Sequence, residues 1–130
     1  MMRLALIILL VFGGGAIGSV CRYWLSGVVA ERFGEVFPLG TLVVNVTGSL
    51  LIGLFAGALS HHPKASIWLQ PFLSIGICGG LTTFSSFSLQ TWTLLRSGRW
   101  GLALLNIVLS TALCLGCVGL GWLVGGYGWR

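Results

Sequence analysis

The sequence predicts an all-α membrane protein of four transmembrane helices, and three observations carry that prediction. Of its side chains 56% are hydrophobic, only 7% are charged, and the charged ones fall at or near the ends of long apolar runs. A soluble domain is roughly one-quarter charged, so a chain with a mean hydropathy of +1.01 cannot cover a water-facing surface. The charged residues are Arg3, Arg22, Glu31, Arg32, Glu35, Lys64, Arg96, Arg99 and Arg130. A span needs about 20 mostly apolar residues. Four such stretches can be drawn, at roughly 4–28, 39–60, 66–95 and 100–124, and together they make residues 1–130 a single transmembrane domain.

The first span begins with Arg3 and the run LALIILLVF. A basic residue before a short apolar stretch, with Ala16 near a cleavage point, also fits a secretory signal. Everything downstream is equally apolar, which favours a retained span. Arg22 at its end has two fates: its head snorkels to the interface, or it stands at a pore mouth and concentrates anions.

The first loop contains Glu31-Arg32-Phe33-Gly34-Glu35 and Pro38, and the second span follows. Within that span Asn45 is an amide in apolar surroundings. A buried polar group needs a partner, so Asn45 either makes an interhelical hydrogen bond or aims its NH₂ into an ion path. Loop two, His61-His62-Pro63-Lys64, reads as solvated.

The third span carries the chemistry. Residues 76–91 are too polar and too rich in glycine for an ordinary lipid-facing helix, and Gly79-Gly80 followed by Thr82-Thr83 invites a break. Unwound backbone inside a membrane is tolerated only where protein buries it or where it lines a wet cavity. Broken helices at mid-membrane are a recurrent design for ion sites. An unbroken helix packed through its small residues is the alternative. Beyond the break, Phe84 and Phe87 share a helix face at i and i+3. Ser85 and Ser88 repeat the spacing beside them, with Thr91 a turn further. Such a pair of rings is either core packing or, beside a hydroxyl track, a pair of electropositive ring edges for an anion.

Loop three is Arg96-Ser97-Gly98-Arg99, and the fourth span holds Cys114-Leu115-Gly116-Cys117. With no His or acid in the same span, these two cysteines read as small packing residues rather than a redox or metal motif. Glycines recur at four-residue spacing, Gly14 with Gly18, Gly53 with Gly57, Gly76 with Gly80 and Gly121 with Gly125. Pairs of that kind let helix backbones approach closely in lipid.

Orientation follows from counting basic residues near the span ends. Arg3, Lys64 and Arg130 share one side; Arg32, Arg96 and Arg99 share the other, with Arg22 if it reaches the interface. The balance permits insertion both ways up and an antiparallel pairing of two copies; a single orientation fixed by other signals is the alternative.

Several function classes drop out. The net charge of +5 is dispersed, whereas nucleic-acid binding needs a basic patch on one surface. The only acids, Glu31 and Glu35, lie in the first loop, so no span offers a carboxylate to relay protons or hold a cationic drug. That argues against a four-span multidrug exporter. No nucleophile with a base partner and no phosphate-binding loop is present, so an enzyme is not expected. A non-transporting assembly subunit is the remaining rival to an anion channel.

The residues resemble the Fluc, or CrcB, family of fluoride channels over essentially the full chain. The resemblance rests on residues 14–23, on Gly40-Thr41-Leu42-Val43-Val44-Asn45, and above all on Gly79-Gly80-Leu81-Thr82-Thr83-Phe84-Ser85-Ser86-Phe87-Ser88. It implies a multi-pass protein of the cell inner (plasma) membrane, an antiparallel dual-topology homodimer with two pores and a broken third helix, passing fluoride passively out of the cytoplasm. It implies a structural Na⁺ held by the backbone carbonyls of Gly79 and Thr82. By the same resemblance Phe84, Phe87 and Asn45 line the fluoride pore, Ser85 and Ser88 form a hydroxyl track, and Arg22 is a vestibule arginine. Where many members carry Glu, this chain has Gln90.

Overall fold

The computed structural model describes residues 1–127, so Arg130 lies outside the described residues. It is helical throughout, with α1 (Met2–Phe33), α2 (Leu39–Ser60), α3 (Pro63–Gln70), a π-helical segment (Pro71–Cys78), α4 (Gly79–Leu81), α5 (Phe84–Arg96) and α6 (Trp100–Tyr127). Four helical stretches are long and apolar enough to cross a membrane: Met2–Phe33, Leu39–Ser60, Pro63–Arg96 and Trp100–Tyr127. Their outward faces carry large exposed apolar side chains, among them Leu4, Ile8, Phe12, Leu104, Val108 and Leu120. A soluble monomer does not present contiguous apolar surface of that kind; a chain solvated by lipid does.

Helix α1 runs past the apolar stretch into its charged end, so Glu31 and Arg32 sit in its last turn and not in a loop. It stops where Gly34 takes a positive φ of 77°, a conformation that costs glycine nothing. Gly98, at φ 75°, makes the corresponding turn between α5 and α6.

Helices meet through the glycine pairs. A Cβ added at Gly14 or Gly18 of α1 would strike the carbonyls of Phe72 or Ile77 in the π-helical segment, and one at Gly76 or Gly80 would strike the backbone of α1 around Gly14 and Gly15. Gly53 and Gly57 of α2 stand in the same relation to Val118 and Trp122 of α6, and Gly121 and Gly125 to Leu50 and Leu54. In lipid, where tails are as apolar as leucine, close backbone contact of this kind drives helix association. Between the helices Val44, Ala103, Cys78 and Leu81 are buried.

The third membrane-crossing stretch is not one regular helix. Pro71 has no N–H, so the carbonyl of Ile67 loses its α-helical donor, and the chain continues with the wider π pattern. The Gly79 N–H accordingly reaches back five residues to Ser74 O. Helix then gives way at Thr82 (φ −80°, ψ 154°) and Thr83 (φ −149°, ψ 110°), both extended, before α5 starts at Phe84.

Candidate functional site

The break at Thr82-Thr83 is held open by side chains that take the backbone donors a continuous helix would use. In such a helix the Thr83 N–H would bond Gly79 O. Here it donates to Asn45 Oδ1 at 2.7 Å, and Asn45 Nδ2 returns a bond to Thr83 O at 3.1 Å. The Ser86 N–H, which would have reached Thr82 O, donates instead to Thr83 Oγ1 at 3.2 Å, making Thr83 the N-cap of α5. Gly79 and Thr82 therefore present carbonyl oxygens stripped of their helical donors. Thr82 ties its own hydroxyl back to Cys78 O at 2.9 Å.

Hydroxyls crowd the cap. Thr83 Oγ1 lies 3.2 Å from Ser85 Oγ and donates to Ser86 Oγ at 3.0 Å. With its one proton used on Ser86, Thr83 accepts from Ser85, and the Ser86 O–H proton is uncommitted.

A groove of about 470 Å³ opens beside the break. It is lined by Asn45, Gly48 and Ser49 of α2, by Cys78, Gly79 and Thr82 at the break, by Ser110 and Cys114 of α6, and by Phe84 and Phe87 of α5. The two rings lie with centroids 5.4 Å apart and planes tilted by 43°. Phe84 is 79% exposed. Asn45, Phe84, Phe87, Gly79 and Thr82 thus converge on one groove. Ser85 and Ser88 do not line it: both are exposed, Ser85 bonded to Thr83 and Ser88 donating to Phe84 O at 2.9 Å. Arg22 is half-buried in α1 and lines neither this groove nor the second one.

That second groove, of about 590 Å³, runs from Glu35 and Arg99 at the loop end down to Thr41, Ser86, Gln90 and Thr93. Gln90 Oε1 is buried in its wall without a hydrogen-bond partner. The first two turns of α5 therefore border both grooves, Phe84 and Phe87 lining the first and Ser86, Leu89 and Gln90 the second.

Sequence reasoning passed over Asn106 and Ser110. Asn106 is buried in α6, donating to Thr91 Oγ1 at 2.9 Å and facing Ser110 Oγ at 3.4 Å. The signal was available: a second intramembrane amide, four residues before a serine on one helix face. Among the described residues no three His, Cys, Asp or Glu side chains come together. The oxygen donors at the break are backbone carbonyls and threonine hydroxyls, hard neutral ligands of the kind that suit a hard cation.

The chain is similar to proteins named fluoride-specific ion channel FluC from Rhodospirillum rubrum, 51% identical over 116 residues (87% of this chain, 89% of that protein), and from Opitutus terrae, 54% identical over 110 residues (83% of each). A third, from Paramagnetospirillum magneticum, is 53% identical over 111 residues (83% of this chain, 86% of that protein). The family described as CrcB-like protein, Camphor Resistance (CrcB), matches residues 9–122, a stretch that includes the break, both rings, Asn45 and Asn106. On that match and those identities, the chain belongs to the CrcB family.

Proposed function

We propose that the chain is a fluoride-selective channel, not an enzyme, through which fluoride leaves the cytoplasm passively across the inner (plasma) membrane. The observation that carries the reading is the convergence of Asn45, Phe84 and Phe87 on a groove at a broken helix. The name borne by the relatives, fluoride-specific ion channel, supports the same ion.

The physics fits a small, strongly hydrated anion. A conduit must replace its water with donors that hold it without trapping it. Hydroxyls, amide NH₂ groups and ring edges do this without charge. The break also sets two opposite helix ends against each other. The segment ending at Leu81 directs unpaired carbonyls and the negative end of its dipole at the break; α5 starts there with its positive end, next to Phe84 and Phe87.

Gly79 and Thr82 would hold a structural Na⁺ through their backbone carbonyls, and the diversion of the Thr83 and Ser86 N–H groups is what leaves those oxygens available. Bound, the cation would lower the cost of an anion nearby.

The groove is open on the side of Phe84, and Gly79 is exposed there as well. An antiparallel second copy, inserted the other way up, would cover both and bring a second set of carbonyls to the cation. The near balance of basic residues between the two sides supports dual topology. In this reading Arg22 acts from a distance, raising anion concentration at the mouth, and Ser85 and Ser88 act on the exposed face that the second copy would meet.

Purified protein in fluoride-loaded liposomes should release fluoride under a K⁺ diffusion potential, read with a fluoride electrode. Folded protein that releases none would refute the channel.

A further inference from the structure

At the end of the molecule where α1 begins and α3 starts, the charged side chains are of one sign. Arg3 lies in the first turn of α1 and Lys64 in the first turn of α3. The guanidinium of Arg3 stands over the Trp68 ring, 6.0 Å from its centroid, within the reach of a cation–π contact. Lys64 and Trp68 are four residues apart on α3 and so share a face, which Ile67 joins at i+3. All four side chains are exposed. Trp68 therefore gathers a cation from α1 and a cation from α3 into one patch.

Neither cation has an acidic side chain to pair with here. The only two in the sequence, Glu31 and Glu35, lie at the far end of α1, where Glu35 and Arg99 line the same groove. One end of the molecule thus mixes signs, and the other offers donors without an acceptor of its own. A guanidinium that uses its face on a ring keeps its N–H edges for hydrogen bonds, and an ammonium brings three donors more. Together they suit an anion with several oxygens.

The apolar surroundings say which anion. Leu4 is exposed beside Arg3, and Ile67 and Leu69 beside Trp68. A dissolved inorganic anion gains nothing from such neighbours, whereas a phospholipid has acyl chains to lay against them. Tryptophan at the edge of a membrane sits at headgroup level, which puts Arg3 and Lys64 at the depth of the phosphates. We propose that this patch is a site for an anionic phospholipid, its headgroup bridging Arg3 of α1 and Lys64 of α3. The bridge has a structural consequence. Helix α3 leads through Pro71 and the π-helical segment to the break, and α1 packs on that segment at Gly14 and Gly18. A lipid tying α1 to α3 secures the same pair of elements at their membrane edge. The proposal stands apart from the question of which ion passes.

Native mass spectrometry of the detergent-solubilised full chain tests it, with phosphatidylglycerol and phosphatidylcholine of the same acyl chains. A basic residue at an anionic membrane surface is worth about fivefold in binding, so wild type should retain phosphatidylglycerol at least about tenfold better than phosphatidylcholine. Arg3→Gln and Lys64→Gln should each lower that preference about fivefold, and the double variant should abolish it. Arg96→Gln with Arg99→Gln, at the end that also carries the acids, should keep it. Without added lipid the variants should melt with wild type, since the altered side chains are exposed. Equal retention of the two lipids by wild type overturns the proposal and needs no variant to show it. So does a full preference in the double variant, or a preference lost only with Arg96 and Arg99. Displacement of phosphatidylglycerol by an equal concentration of inorganic phosphate would reduce the patch to a site for free anions and overturn the lipid.

Discussion

Asn45 and Thr83 close a reciprocal pair of hydrogen bonds across the helix break, Thr83 N–H to Oδ1 at 2.7 Å and Nδ2–H to Thr83 O at 3.1 Å. One amide from α2 thereby satisfies both backbone groups of an extended residue inside the membrane, where no water could do so. The interhelical bond is thus made, and the amide lines the groove as well. Once ionised, Asn45→Asp keeps the acceptor and loses the donor, setting a carboxylate oxygen against Thr83 O. An unsatisfied buried group costs about 1–3 kcal/mol. Asn45→Asp and Asn45→Leu should both melt earlier in detergent and lose most of their fluoride flux; unchanged melting would mean that the clamp does not hold the break.

Thr83 has a second duty as N-cap of α5, accepting from Ser86 N–H and linking Ser85 to Ser86 through its hydroxyl. Loss of such a cap costs about 1 kcal/mol. Thr83→Val, of similar shape, should therefore destabilise the protein by about that amount and slow fluoride release. Thr83→Ser keeps the oxygen and should melt within a few tenths of a kcal/mol of wild type. Equal melting for Val and Ser would remove the cap from the account.

The two rings allow stability to be separated from conduction. Phe84 is 79% exposed, so little apolar burial within the subunit depends on it. Phe84→Ile and Phe87→Ile keep the side chains apolar but abolish the ring edges. Flux should fall at least about tenfold, which corresponds to about 1.4 kcal/mol, while the oligomer peak on size exclusion is retained. Retained flux would eliminate the ring edge as the anion contact.

Much of this was legible in the residues, and the reasons are local. Gly79-Gly80 before two threonines signalled a break because each residue type disfavours helix by its own chemistry, and the four glycine pairs lie at helix contacts because spacing alone puts them on one face. The π-helical segment was not read: Pro71 advertises a lost donor, but only the neighbouring helix decides whether the chain kinks, breaks or widens. Asn106 escaped notice because its partner Thr91 is on another helix, and a one-dimensional pattern does not say which faces meet. The serines divide for the same reason. Ser86, absent from the expected hydroxyl track, holds the uncommitted proton and faces the second groove, while Ser85 and Ser88 are exposed.

Glycine gives the sharpest test of the packing, since the chain contains crowded and open glycines of identical composition. A methyl at Gly18 would collide with the carbonyl of Ile77 and the backbone at Leu81, neither of which is a flexible side-chain end, and so the helices must separate. A methyl at Gly116 on α6 meets nothing within 4 Å. Overpacking at a tight contact costs about 1–3 kcal/mol, whereas alanine in an open helical position gains about 0.5–1 kcal/mol over glycine. Gly18→Ala should therefore lower the melting temperature in detergent, and because α1 packs there on the segment that leads into the break, it should also lower flux. Gly116→Ala should melt at or above wild type. Were the two variants equally stable, α1 would not be in backbone contact with the third span, and the anchoring of the break from that side would have to be abandoned.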